Sequence, residues 1–160
     1  MRLHVLEARR RDLTGERRRH PHVGRCRDDL RVVETKEQTG LDMHVYVDRE
    51  DKPMRLVFGV LLRGVPSPTT AEQANKVLGP TMGFFQGLRK FTYPVCLFFF
   101  TVREEQAFFS WLAEPVVNGD GPKLVHHTQA NCVELTDALL GDVVNCVVAW
   151  YDAVESVLIA

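Results

Sequence analysis

Asp42, at the head of an alternating run, and Arg63, at the end of the next apolar run, are the side chains whose types and spacing suit chemistry. Metal-dependent phosphodiester cleavage uses such a layout. One strand brings an Asp, a hairpin follows, and the next strand brings a Glu or Gln and, two residues on, a Lys. The oxygens hold Mg²⁺, a hard cation, while the Lys orients the attacking water and steadies developing charge. Asp42 fits the first place and is the metal-ligand candidate. The basic residue that ends the next run is Arg63, not a lysine. Arginine keeps the charge, but its delocalised fork, with a pKa above about 12, does not replace a compact ammonium beside water. His44 shares the face of Asp42, yet two ligands without a third hold a divalent ion poorly. Glu34 or Glu37 adds a carboxylate only if the chain bends it toward Asp42.

Other motifs carry less. His126 and His127 are neighbours, and adjacent strand residues point to opposite faces, so one ion reaches both only in a distorted loop. Ser67, Ser110 and Ser156 lie in no Gly-x-Ser-x-Gly context, and no cysteine precedes a recognisable histidine partner, which leaves covalent catalysis unsupported. Gly79, Gly83 and Gly87 follow no strand and make no phosphate loop. The aromatics at 98–100 and 108–111 sit in apolar runs and read as core rather than as base-stacking surface.

The 160 residues suit one domain, and the 45% apolar and 26% charged content argues against fibrous, wholly disordered and membrane-spanning classes. The formal charge of −1 conceals a division. Residues 1–31 hold ten arginines against five acids, a basic head of +5, and the rest carries −6. Arg17, Arg18, Arg19, Arg25 and Arg27, with Arg63, are therefore the candidate nucleic-acid contacts, with a grip on phosphate that weakens as salt rises. Cys26, Cys96, Cys132 and Cys146 have no metal-ligand spacing, and no secretory stretch opens the chain; a cytoplasmic protein is expected, with the last three cysteines as small core residues.

The elements that must position these residues follow from periodicity. Residues 1–30 form a separate basic segment, helical or irregular, and the folded part, 31–160, starts near residue 30. From Leu41, period two sets Leu41, Met43, Val45 and Val47 against Asp42, His44, Tyr46 and Asp48, as on a half-buried strand. Met54 to Gly64 is apolar on both faces and pairs antiparallel with the first run as a hairpin. Thr69 or Thr70 caps a short helix to about Leu78, and a second helix spans residues 83–91. Val95 to Val102 is the central strand. Arg103–Gln106 is a polar turn or helix start, residues 118–122 an exposed loop, and residues 123–127 a short strand. A long helix runs from Val133 to Ala160, capped by Asn131 with Glu134 completing the box. Its core stripe is Leu135, Leu139, Val143, Val147, Trp150, Val154 and Val157, and Val144, Val148 and Leu158 lie outside. The fold class is α/β or α+β, a mixed sheet flanked by helices.

With Asp42 in Gly40-Leu41-Asp42-Met43-His44-Val45 and Arg63 closing Gly59-Val60-Leu61-Leu62-Arg63-Gly64, the chain resembles the PD-(D/E)XK nuclease-like superfamily. Within it, the chain is similar to the bacterial domain of unknown function 4365 family, in which a Gly-hydrophobic-Asp strand and a hairpin lead to a Gly-Val-Gln-hydrophobic-Lys-Gly-like strand. Pro94–Phe98 and Phe108–Leu112 look like that family's Pro-led strand and aromatic Trp segment, so the likeness covers about residues 30–115. It implies a restriction-endonuclease-like mixed sheet whose cleavage site is incomplete at Leu61 and Arg63. The function it implies is binding, to nucleic acid or to a protein partner, with Asp42 and Arg63 vestigial and no cofactor. Mg²⁺ enters only if nuclease activity remains. The rival readings are a metal-dependent DNA or RNA nuclease and an immunity or interaction protein.

Overall fold

A computed structural model describes residues 28–35, 40–50, 56–65, 70–78, 90–101 and 106–159. The first three strands, β1 (Leu30–Glu34), β2 (Met43–Val47) and β3 (Leu56–Val65), form an antiparallel meander. A helix, α1 (Ala71–Leu78), follows, and the chain returns as β4 (Val95–Thr101), parallel to β3. β5 (Ala107–Asn118) and β6 (Gly121–His126) extend the sheet antiparallel in the order β1-β2-β3-β4-β5-β6. A two-residue strand, β7 (Val133–Glu134), pairs with β5, and α2 (Asp137–Ile159) ends the fold. The fold is α+β, with a mixed, mostly antiparallel open sheet and a long C-terminal helix.

Each face of the sheet holds its own core. On one, Val32, Met43, Val45, Val47, Phe58, Val60, Leu62, Cys96, Phe98 and Phe109 pack beneath Leu140, Val143, Val144 and Val147 of α2. On the other, Leu41, Leu61, Val95, Leu97, Phe99 and Phe108 pack with Ala74 of α1. The alternation along β2 and the apolar run of β3 are what this arrangement requires, because β3 lies in the sheet interior and buries both faces. Thr70 caps α1, its Oγ1 accepting the Gln73 N–H at 3.2 Å. Arg49 in the β2–β3 turn grips both oxygens of Asp152 at 2.9 and 3.1 Å, and the Tyr151 hydroxyl donates to the Val57 carbonyl at 2.9 Å, tying α2 to the hairpin.

Several expectations need correction. The sheet opens with three strands, because β1 precedes the hairpin. Arg31 and the exposed Val33 and Glu34 dilute β1's apolar signal, since only Leu30 and Val32 point into the core. The segment after Gln106 is the strand β5, and residues 118–122 hold the tight β5–β6 turn, where Asn118 Oδ1 accepts the Asp120 N–H at 3.0 Å. Pro115 fits in β5 because it lies beyond Ala113, the last β5 residue paired with β4, where the ladder on that side has ended. The final helix begins at Asp137, capped by Thr136, whose Oγ1 accepts the Leu139 N–H at 3.1 Å; Val133 and Glu134 are strand instead. Its buried stripe keeps the expected Val143, Val147 and Trp150 and is wider than expected, taking in Leu140 and Val144 with Val148 at the core's edge, while Val157 is exposed. Cys96 and Cys132 are core residues as expected, but Cys146 is exposed. The expected helix at 83–91 lies almost wholly outside the described residues, as do Arg17, Arg18, Arg19, Arg25, Arg27, Cys26 and Glu37.

Candidate functional site

Asp42 stands immediately before β2, with its backbone held on both sides. Its N–H donates to the Val60 carbonyl and its C=O accepts the Thr35 N–H, each at 3.0 Å. The Thr35 hydroxyl also donates to the Leu41 carbonyl. This double anchoring between β1 and β3 fixes where the carboxylate points. Oδ2 accepts the backbone N–H of Leu62 at 2.8 Å and Nη1 of Arg63 at 3.1 Å. The same Nη1 donates to the Leu62 carbonyl at 2.7 Å. Asp42 and Arg63 thus meet as an ion pair.

Leu61, the residue that the resemblance sets at a second ligand's place, is core. It is 1% exposed and packs among Val95, Leu97, Phe99 and Ala74. Glu34 pairs in register with Met43 and is exposed. Among the described residues no three His, Cys, Asp or Glu side chains gather as an ion would require. The Asp42 carboxylate faces the Arg63 guanidinium, and its neighbour on the next strand, Leu61, offers no donor oxygen. The pair does keep a fixed positive fork at the sheet surface, with 41% of the Arg63 side chain exposed against 22% of Asp42. Such a fork suits bidentate contact with a phosphate.

His44 does not join Asp42 as a ligand. Its Nε2 lies 3.0 Å from the Tyr93 hydroxyl, and its ring meets those of Tyr46 and Tyr93 edge-on at 6.3 and 5.8 Å. Burial lowers its pKa, and burial followed by the nearby Tyr46 raises that of Tyr93, so the neutral forms are favoured. Gly59, nearby, leaves room for the Leu41 side chain. It lies opposite His44 across the strands, and a Cβ there would meet Leu41 Cδ1 at 2.6 Å and Tyr93 Cε2 at 3.4 Å. The sequence showed His44 and Tyr46 on the face of Asp42 but gave no means of bringing Tyr93 to them; the Tyr93-Pro94 pair before a strand was the available hint.

The two remaining histidines stay apart, as expected. His127 pairs with Glu114 at 2.6 Å, and His126 Nε2 is shielded and has no hydrogen-bond partner among the described residues. Four aromatics of β4 and β5 are core: Phe98 lies against Phe109 and Phe99 against Phe108, all buried. No family model, curated protein or solved structure matches the chain. No helix among the described residues is long and apolar enough to cross a membrane.

Proposed function

We propose that this chain is a nuclease-like protein without metal-dependent cleavage that acts by binding nucleic acid. The carrying observation is the ion pair of Arg63 with Asp42, beside a buried Leu61. An internal guanidinium takes the share of Asp42's charge that a divalent ion would need, and leucine removes the second ligand. An antiparallel opening followed by a parallel return, with an Asp heading one strand and a basic residue near the end of the next, is compatible with the PD-(D/E)XK resemblance. Arg63 then serves as a phosphate contact, joined by Arg17, Arg18, Arg19, Arg25 and Arg27 from the basic head.

A second reading, a protein-binding role, is favoured by one observation: Val157, Leu158 and Ile159 end α2 as consecutive exposed apolar residues, Leu158 at 80% exposure. The test between the readings is anisotropy of labelled DNA and RNA with the full chain across a salt series. Binding that weakens steeply with salt supports the nucleic-acid reading; absence of binding at every salt concentration overturns it.

A further inference from the structure

The residues of β1 and β2 that turn away from α2 form a row of rings. Arg31 lies in register with Tyr46, its guanidinium carbon 5.1 Å from the ring centre. From Tyr46 the row continues through His44 to Tyr93, and Phe91 follows with its ring 5.2 Å from that of Tyr93. All five side chains remain partly exposed, whereas the alternate residues Val32, Met43, Val45 and Val47 are buried beneath α2. On this face, beside the core shared with α1, β1 presents Arg31 and the exposed Val33 and β2 presents His44 and Tyr46, and the segment before β4 adds the half-buried Tyr93 and Phe91, which pack against that core. The Nε–H of Arg31 has no hydrogen-bond partner among the described residues.

We propose that this row is a stacking platform for the bases of single-stranded nucleic acid, with the adjacent arginines Arg31 and Arg63 taking backbone phosphates. The proposal rests on the nucleic-acid reading above and names its substrate class. Every unpaired base has a π-face that rings and guanidinium planes can cover without regard to sequence. Bases in a duplex are already stacked on one another, so the platform selects unpaired strands. Asp42 lies 3.1 Å from Arg63 and Asp48 4.0 Å from Arg31, which lowers the repulsion of phosphate by these two carboxylates. Neutral His44, hydrogen-bonded to Tyr93, holds two rings of the row at a fixed angle without adding charge.

The test is fluorescence anisotropy of the full chain with three labelled probes: a short oligothymidylate, an abasic strand of the same length, and a duplex. The thymidylate should bind about tenfold tighter than the abasic strand. Tyr46→Leu, folded by circular dichroism, should lose most of that difference and leave the abasic affinity unchanged, and Tyr46→Phe should retain it. Equal affinity for thymidylate and abasic strands, preference for duplex, or indifference to Tyr46→Leu would overturn the platform while leaving nucleic-acid binding intact. Failure of all three probes to bind would overturn both.

Discussion

Oδ2 of Asp42 receives two donors from one short stretch of β3, the Leu62 N–H at 2.8 Å and the Arg63 guanidinium at 3.1 Å. The carboxylate is therefore a brace between the start of β2 and the end of β3. Asp42→Ala should lower stability by about 1–3 kcal/mol in urea titration, because the Leu62 N–H loses its acceptor; Asp42→Asn, which keeps an oxygen there, should lose less. Millimolar Mg²⁺ should leave the melting temperature of the native protein unchanged, and an Asp42-dependent rise would contradict the brace.

Leu61 is a core residue, so a carboxylate cannot be placed there without damage. Leu61→Glu would drive a carboxylate among Leu97, Phe99 and Ala74 and should cost about 3 kcal/mol or more by denaturant titration. Leu61→Met, close in volume, should cost less than about 1.5 kcal/mol. Similar small losses for both would show that the position opens to water.

His44 ties stability to pH. Its folded pKa lies below the reference 6.5, so as pH falls through that window the unfolded chain takes up its proton first. The contribution is fully present above 6.5 and is lost as pH drops through the lowered folded value. The stability lost between neutral and mildly acidic buffer should be smaller in His44→Gln than in the native sequence, measured by chemical denaturation at both pH values. Equal losses would remove His44 as a contributor.

Thiol chemistry should separate the cysteines. Burial pushes the Cys96 thiol far up and that of Cys132 to about 11, while exposed Cys146 is raised by partial burial and then by Asp142 and Glu114. In a Cys26→Ser background, mild alkylation of native protein should label Cys146, more slowly than a model thiol, and denaturation should be needed to label Cys96 and Cys132. Rapid native labelling of Cys132 would contradict its burial.

Much of the sheet was legible because period two is strong where one face is buried, as in β2, and a two-sided apolar run marks an interior strand, as in β3 and β4. The edge strand β1 was not, since two inward residues among polar neighbours make no pattern. β5 was obscured by its bulge near Ala113 and by Pro115, which disturb alternation. Strand order placed Asp42 and Arg63 on neighbouring strands but did not say whether they meet. The Leu62 N–H that completes it was not, because a backbone donor has no sequence signature. The ring row depended on Tyr93, 49 residues beyond His44, coming to lie beside it, which only three dimensions reveal.

The most direct measurement is a paired assay in which labelled DNA or RNA is incubated with the full chain and Mg²⁺ or Mn²⁺, binding is read by anisotropy, and strand integrity is read from the same sample on a gel. The account predicts saturable binding that weakens with salt while the strands stay intact. Metal-dependent cleavage lost in Asp42→Ala, or no binding at any salt concentration, would contradict it.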